Sequence, residues 1–150
     1  MKNNINIIGR VSIIIDAPVS KVWEALTTPQ IIKQYFFGTD THTDWKVGSP
    51  IRFTGEWQGK KYEDKGTILS FVPDQQIKYS YWSSMSGTED NPENYVNVTY
   101  DVAKNDEDTM VTITQDNIAD EKSKEHSEQN WGKVLADLKT LLEKETINSL

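Results

Sequence analysis

The sequence predicts an α+β domain in which an antiparallel sheet is covered by one long terminal helix. Three observations carry that reading. Between residues 43 and 117 apolar side chains recur at every second position, the period of half-buried strands. Trp131, Val134, Leu135, Leu138, Leu141 and Leu142 recur at helical spacing over three turns, which makes an apolar stripe fit to lie on a sheet. The chain has 150 residues and 17.2 kDa, the length of one domain, and a chain of that size buries roughly 68–70% of its unfolded surface.

The elements follow in order. Val11, Ile13 and Ile15 alternate with Ser12 in a first strand, which Asp16-Ala17-Pro18 interrupts. Pro18 suits the first position of a helix, and Val22, Trp23, Ala25 and Leu26 continue at helical spacing. Thr28-Pro29 ends that helix and opens another through Ile31, Ile32, Tyr35 and Phe36, stopped by Gly38. Ile51, Phe53, Gly55 and Trp57 then share one face of a strand, with Arg52, Thr54 and Glu56 on the other. Gln58-Gly59-Lys60 reads as a hairpin turn, and Tyr62 to Val72 as a long partner strand with Gly66 as an expected bulge. After the Pro73-Asp74 turn, Ile77, Tyr79 and Tyr81 alternate with Lys78 and Ser80. Ser83 to Pro92 is the longest candidate loop. Val96, Val98, Tyr100 and Val102 form the next alternation, Asn105 to Asp108 a turn, and Val111 and Ile113 the last strand. The polar stretch Asp120 to Asn130 reads as a connection plus an exposed first turn or two. The sum is one strand, two short helices, five or six further strands and a long helix, an α+β layout.

Composition narrows the function. With 23 acidic and 16 basic residues the net charge is −7, which argues against nucleic acid or an anionic membrane as the main partner. The absence of cysteine excludes disulfides, thiolate nucleophiles and cysteine-based metal centres. No apolar run reaches the roughly 18 residues of a membrane span, and no secretory leader is evident, so the expectation is a cytoplasmic protein. Asn97-Val98-Thr99 fits a glycosylation sequon by chance. Hydrophobic residues are 36% of the chain, with 5 Trp, 6 Tyr and 4 Phe among them, so the interior is built from few, large rings.

Four segments in order resemble one known family. Ala17-Pro18-Val19-Ser20-Lys21-Val22-Trp23-Glu24-Ala25-Leu26-Thr27-Thr28-Pro29 resembles the opening of the START-like superfamily, within it the family similar to the activator of Hsp90 ATPase. Trp45 to Ile51 resembles the turn before its third strand, Pro92 to Tyr100 a strand signature of one branch, and Asn130 to Leu142 its final helix. Tyr35-Phe36-Phe37 departs from the Trp-Phe of many relatives. The resemblance covers about residues 8–145 and implies one helix-grip domain, a curved sheet wrapped around the last helix with a cavity between them. It implies no single function, because the superfamily includes lipid carriers, hydrolases, cyclases and co-chaperone domains.

The leading expectation is a module that binds a small apolar or aromatic molecule, without a cofactor. Phe53, Trp57, Tyr79, Tyr81 and Tyr100 form the expected floor and Trp131 and Leu135 the roof, since planar rings leave gaps and aromatic concavities with a few hydroxyls hold small ligands. A cyclase or hydrolase acting on a ketide-like molecule is the enzymatic alternative. It needs an inward carboxylate or histidine, which the alternation does not clearly supply. An interaction domain with a chaperone partner is the third reading.

Other polar groups are expected to be ordinary. Asp40, His42 and Asp44 at alternate positions would converge on a metal if extended, yet a polar connection explains them. His126 sits among Lys124, Glu125 and Glu128 as a solvated helix residue, and Glu24 and Glu56 read as exposed. Gly59 and Gly87 form no phosphate cradle, and no G-x-S-x-G nucleophile motif is present. The Ser83–Pro92 loop is a candidate lid.

Overall fold

The structure, a computed structural model, describes residues 7–84 and 87–148, with the side chains of Trp57 and of 145–148 outside the description. The elements are β1 (Ile7–Ile15), α1 (Val19–Thr27), α2 (Pro29–Tyr35), β2 (Asp40–His42), β3 (Pro50–Trp57), β4 (Lys60–Val72), β5 (Gln76–Ser83), β6 (Val96–Asn105), β7 (Asp108–Ile118) and α3 (Glu121–Asn148). A 3₁₀ turn over Pro92–Asn94 precedes β6. The strands form one curved antiparallel sheet ordered β1-β7-β6-β5-β4-β3-β2. Strands β2 to β7 meander, and β1 returns to pair with β7 (Val11 opposite Ile113, Ile13 opposite Val111). This is the helix-grip arrangement that the resemblance implies.

Alternation decides which side chains meet α3. Across the ladder Phe53 faces Asp64, Ile68 faces Tyr79, Tyr79 faces Val98, and Tyr100 lies opposite both Ile77 and Ile113. All of these point to the helix side, where Ile15, Ile51, Ile68, Ile77, Val98, Val111 and Ile113 are buried. The stripe of α3 answers them with Val134, Leu135, Leu138 and Leu142, all buried in the same cluster. The helix is also tied along the β1 edge. Glu128 accepts from the Arg10 amide (2.9 Å), Glu143 from the Asp16 amide (2.9 Å), and Lys139 donates to the Ile14 carbonyl (2.8 Å). These contacts occupy backbone groups that an edge strand would otherwise leave unpaired.

Three local readings are corrected. Gly66 is not the bulge: it pairs in register with Ile51, and the shift in β4 falls between Ile68 and Ser70. Gly66 is instead a point of close approach, where an added Cβ would stand 1.6 Å from the Ser80 carbonyl oxygen. Asp120 to Asn130 is not mainly a connection, because helix begins at Glu121; the Asp120 carboxylate accepts from the Ser123 amide (2.7 Å) and caps its first turn. Pro18 is the residue before α1 rather than its first, and its carbonyl accepts from Lys21 and Val22. The Gln58-Gly59 turn is as expected, with both residues at positive φ (50° and 81°) between the paired Trp57 and Lys60.

Candidate functional site

Between the amino-terminal half of α3 and the inner face of β4, β5 and β7 lies an open cavity of about 700 Å³. Its helix wall is Lys122, Ser123, His126, Ser127, Asn130, Trp131 and Val134, a stripe in steps of one and three. That stripe is the apolar stripe of α3 continued upward in the same phase. The sheet wall is Tyr62, Asp64, Tyr81, Ser83 and Gln115, and the end of α2 closes the side with Phe36, Phe37 and Thr39.

The aromatic part of the wall is rigidly held. Phe36 stacks on Phe53 at 5.9 Å and meets Trp131 at 5.8 Å, while Trp131 meets Tyr100 edge-on at 6.0 Å. The indole N–H of Trp131 donates to Gln115 Oε1 (2.8 Å), which also accepts from Ser127 (3.1 Å). With its ring half-buried and its one donor used, Trp131 offers the cavity a ring face and no free polarity.

The polar groups of the sheet wall are the more buried ones, since Lys122, Ser123, His126 and Asn130 on the helix wall are exposed. Tyr81 donates its hydroxyl to Asp64 Oδ2, and Ser83 hydrogen-bonds the same Tyr81 oxygen. Burial first, and then the Asp64 charge, push the Tyr81 hydroxyl far above the usual phenol range, so its proton stays in place at neutral pH. Asp64 is 7% exposed, and its Oδ1 is buried without a partner. Beside it, Thr39 and Tyr62 share a 2.6 Å hydrogen bond. Gly55 makes room for the Tyr62 ring, whose hydroxyl would lie 2.4 Å from a Cβ there.

Of the seven expected lining residues, Tyr81 and Trp131 are in the wall. Phe53, Tyr79, Tyr100 and Leu135 are buried one layer behind it, where Phe53 and Tyr100 support the lining rings and Tyr79 donates to or accepts from Tyr100 at 2.7 Å. Inward residues near the sheet centre are covered by α3, and only those facing the helix ahead of its leucines meet open space. The side chain of Trp57 lies outside the described residues.

Residues read as ordinary prove part of the wall. His126 is exposed yet lines the mouth, and Asp64 is the inward carboxylate that alternation seemed not to supply. A signal for Asp64 existed, since it is in phase with Tyr62, Gly66 and Ile68. Elsewhere Asp40 pairs with Lys33 (3.0 Å), His42 with Thr54 (2.9 Å), and Asp44 accepts from the Lys46 amide (3.0 Å). No group of three or more such ligands gathers among the described residues. Glu24 and Glu56 are exposed. The loop after β5 is pinned by a Lys65–Asp90 ion pair and by Trp82 donating to Thr88 (3.1 Å), with Met85 and Ser86 outside the described residues.

Residues 16–143 match the family described as activator of Hsp90 ATPase homolog 1-like protein. Among solved structures, ChR145 from Cytophaga hutchinsonii is 48% identical, with a TM-score of 0.82 over 93% of this chain and 96% of that one. The Aha1 dimer from Colwellia psychrerythraea is 20% identical, with a TM-score of 0.72 over 91% of this chain and 96% of that one. CalU16 from Micromonospora echinospora is also 20% identical, with a TM-score of 0.67 over 95% and 88%. The last two share the fold. No curated protein matches the chain, and among the described residues no helix is long and apolar enough to cross a membrane.

Proposed function

The chain belongs to the activator of Hsp90 ATPase homolog 1-like family, and from that premise we propose that it binds a small, mostly aromatic molecule between its sheet and α3. The observation that carries this is the cavity itself. A volume of about 700 Å³ lies within the range of ~300–1,000 Å³ usual for drug-sized ligands. The rings of Phe36, Phe37, Tyr62, Tyr81 and Trp131 line it, and polar side chains stand on both its sheet wall and its helix wall.

The enzymatic alternative gains one group from the structure, Asp64. It gains no second carboxylate or histidine placed against it, since His126 stands on the opposite wall and Glu24 and Glu56 are exposed. A bound molecule held by rings and oriented by hydroxyls needs neither.

The test is a fluorescence titration with N-phenyl-1-naphthylamine, an uncharged probe that brightens in apolar surroundings. One saturable site is expected in the wild type, with binding weakened about tenfold or more by Ser127→Trp, which fills the cavity from an intermediate helix position. Absence of saturable binding, or equal binding by the filled variant, would defeat the reading.

A further inference from the structure

We propose that the ligand's polar end is a hydrogen-bond donor, an ammonium above all, that seats on Asp64. The inference rests on the cavity being a ligand site and names which chemistry it selects.

Among the described residues Asp64 is the one buried carboxylate, and an ionised carboxylate can only accept hydrogen bonds, through two oxygens and about four lone-pair positions. One oxygen is held by Tyr81. The other, Oδ1, is out of contact with solvent and has no partner. A buried carboxyl oxygen left without a partner is costly, because its removal from water is not repaid.

The protein's own cations do not complete it. On the inner face the ladder neighbours of Asp64 are Phe53 and Ser83. On the outer face Arg52 pairs with Glu63 (3.0 Å) and Lys65 with Asp90. Lys122 and His126 belong to the exposed helix side of the mouth, where water screens them. The missing partner is therefore a donor, and because Asp64 lines the cavity, a ligand there brings one as the carboxylate turns its sealed Oδ1 toward the open space.

The rest of the wall agrees. Trp131, Tyr81 and Phe36 present rings to the same space, and ring faces attract a cation. A ligand ending in a carboxylate would meet Asp64 with like charge. Discrimination comes from the dry end of the cavity, where a charge-assisted hydrogen bond is about twice as strong as a neutral one.

The experiment compares 1-naphthylmethylamine, 1-naphthylmethanol and 1-naphthoate, near-equal in shape, by calorimetry at neutral pH. The amine is expected to bind about tenfold tighter than the alcohol, and naphthoate weakest. Asp64→Asn keeps an acceptor for Tyr81 and should bring amine and alcohol to within about twofold of each other. Asp64→Leu is the second variant and should do the same, with circular dichroism confirming the fold. The wild-type ranking is decisive even if neither variant folds. Equal binding of amine and naphthoate, or an amine preference that survives both variants, would overturn the inference. Tightest binding of naphthoate would also overturn it and assign the polar end to Lys122 and His126. If N-phenyl-1-naphthylamine binds but the amine shows no preference, this inference alone fails; if no probe binds, the cavity reading fails with it.

Discussion

The two halves of α3 face the same sheet in the same phase, yet they do different things. The carboxy-terminal half sets Leu135, Leu138 and Leu142 into one buried aliphatic cluster with Ile15, Val111 and Ile113. The amino-terminal half sets His126, Ser127, Asn130 and Trp131 opposite Tyr62, Asp64, Tyr81 and Ser83 and leaves about 700 Å³. The switch occurs at Trp131, within one turn. Aliphatic side chains interdigitate to close-packed density, whereas rings with engaged hydroxyls and short polar side chains cannot close the same gap. The fold's stability and its candidate function are thus laid end to end along one helix.

The largest test of this contrast is alkaline pH. Tyr35, Tyr79, Tyr81 and Tyr100 all have hydroxyls raised above the usual phenol range, in each case first by burial. In the unfolded chain they ionise near pH 10. Their contribution is therefore complete below about pH 10 and is lost as pH rises above it, by up to about 1.4 kcal/mol per pH unit for each tyrosine. Urea unfolding followed with tyrosinate absorbance should show loss of the fold and ionisation together. Tyrosinate from more than two of the six tyrosines in a protein still folded, beyond the partly exposed Tyr62 and Tyr95, would mean that the cavity end is open to hydroxide.

Gly66→Ala comes next. A methyl group 1.6 Å from the Ser80 carbonyl must push β4 from β5, the two strands that set Asp64 beside Tyr81, and a loss of about 3 kcal/mol or more is expected. Probe binding should fall with it. Unchanged urea stability would show that the strands yield freely at that point.

Substitution along the helix measures the contrast directly. Leu138 is fully buried, and Leu138→Ala should cost about 2–5 kcal/mol. Trp131 is larger but stands at the cavity, so Trp131→Ala should cost only about 1–2 kcal/mol, since the ring has protein contacts on fewer sides, while weakening N-phenyl-1-naphthylamine binding far more than Leu138→Ala does. Equal destabilisation by both, with no probe binding, would erase the difference between the halves. Smallest of all, His126→Ala should change stability by less than about 0.5 kcal/mol while still altering access at the mouth, seen as a changed rate of probe binding in stopped-flow mixing.

Much of this was legible beforehand, and the failures have a common cause. The period-two run gave the sheet and its inward face, and Phe53, Tyr79, Tyr81 and Tyr100 do point toward α3. What misled was the assumption that a polar residue takes no part in a cavity wall. Asp64 is in phase with Ile68, and Lys122, Ser123, His126, Ser127 and Asn130 are in phase with the leucine stripe, but charged and polar residues are rarely placed inside. Both patterns became readable only as a pair, because a polar stripe on a helix and a polar position on a strand are each ordinary until they face one another.

The sequence by itself determined most of the elements, their order and the sides they bury, since those follow from local periodicity, turn residues and the burial of apolar surface; it did not give the short strand β2 or the polar first turns of α3. Tertiary structure alone decided where the interior is solid and where it is hollow. That depends on how far α3 runs along the sheet before its leucines begin, on the close approach at Gly66, and on α2 bringing Phe36 to Trp131 from 95 residues away. It also decided that Asp64 keeps one oxygen without a partner, because whether a buried group is satisfied depends on every neighbour at once, and no spacing in the chain records that sum.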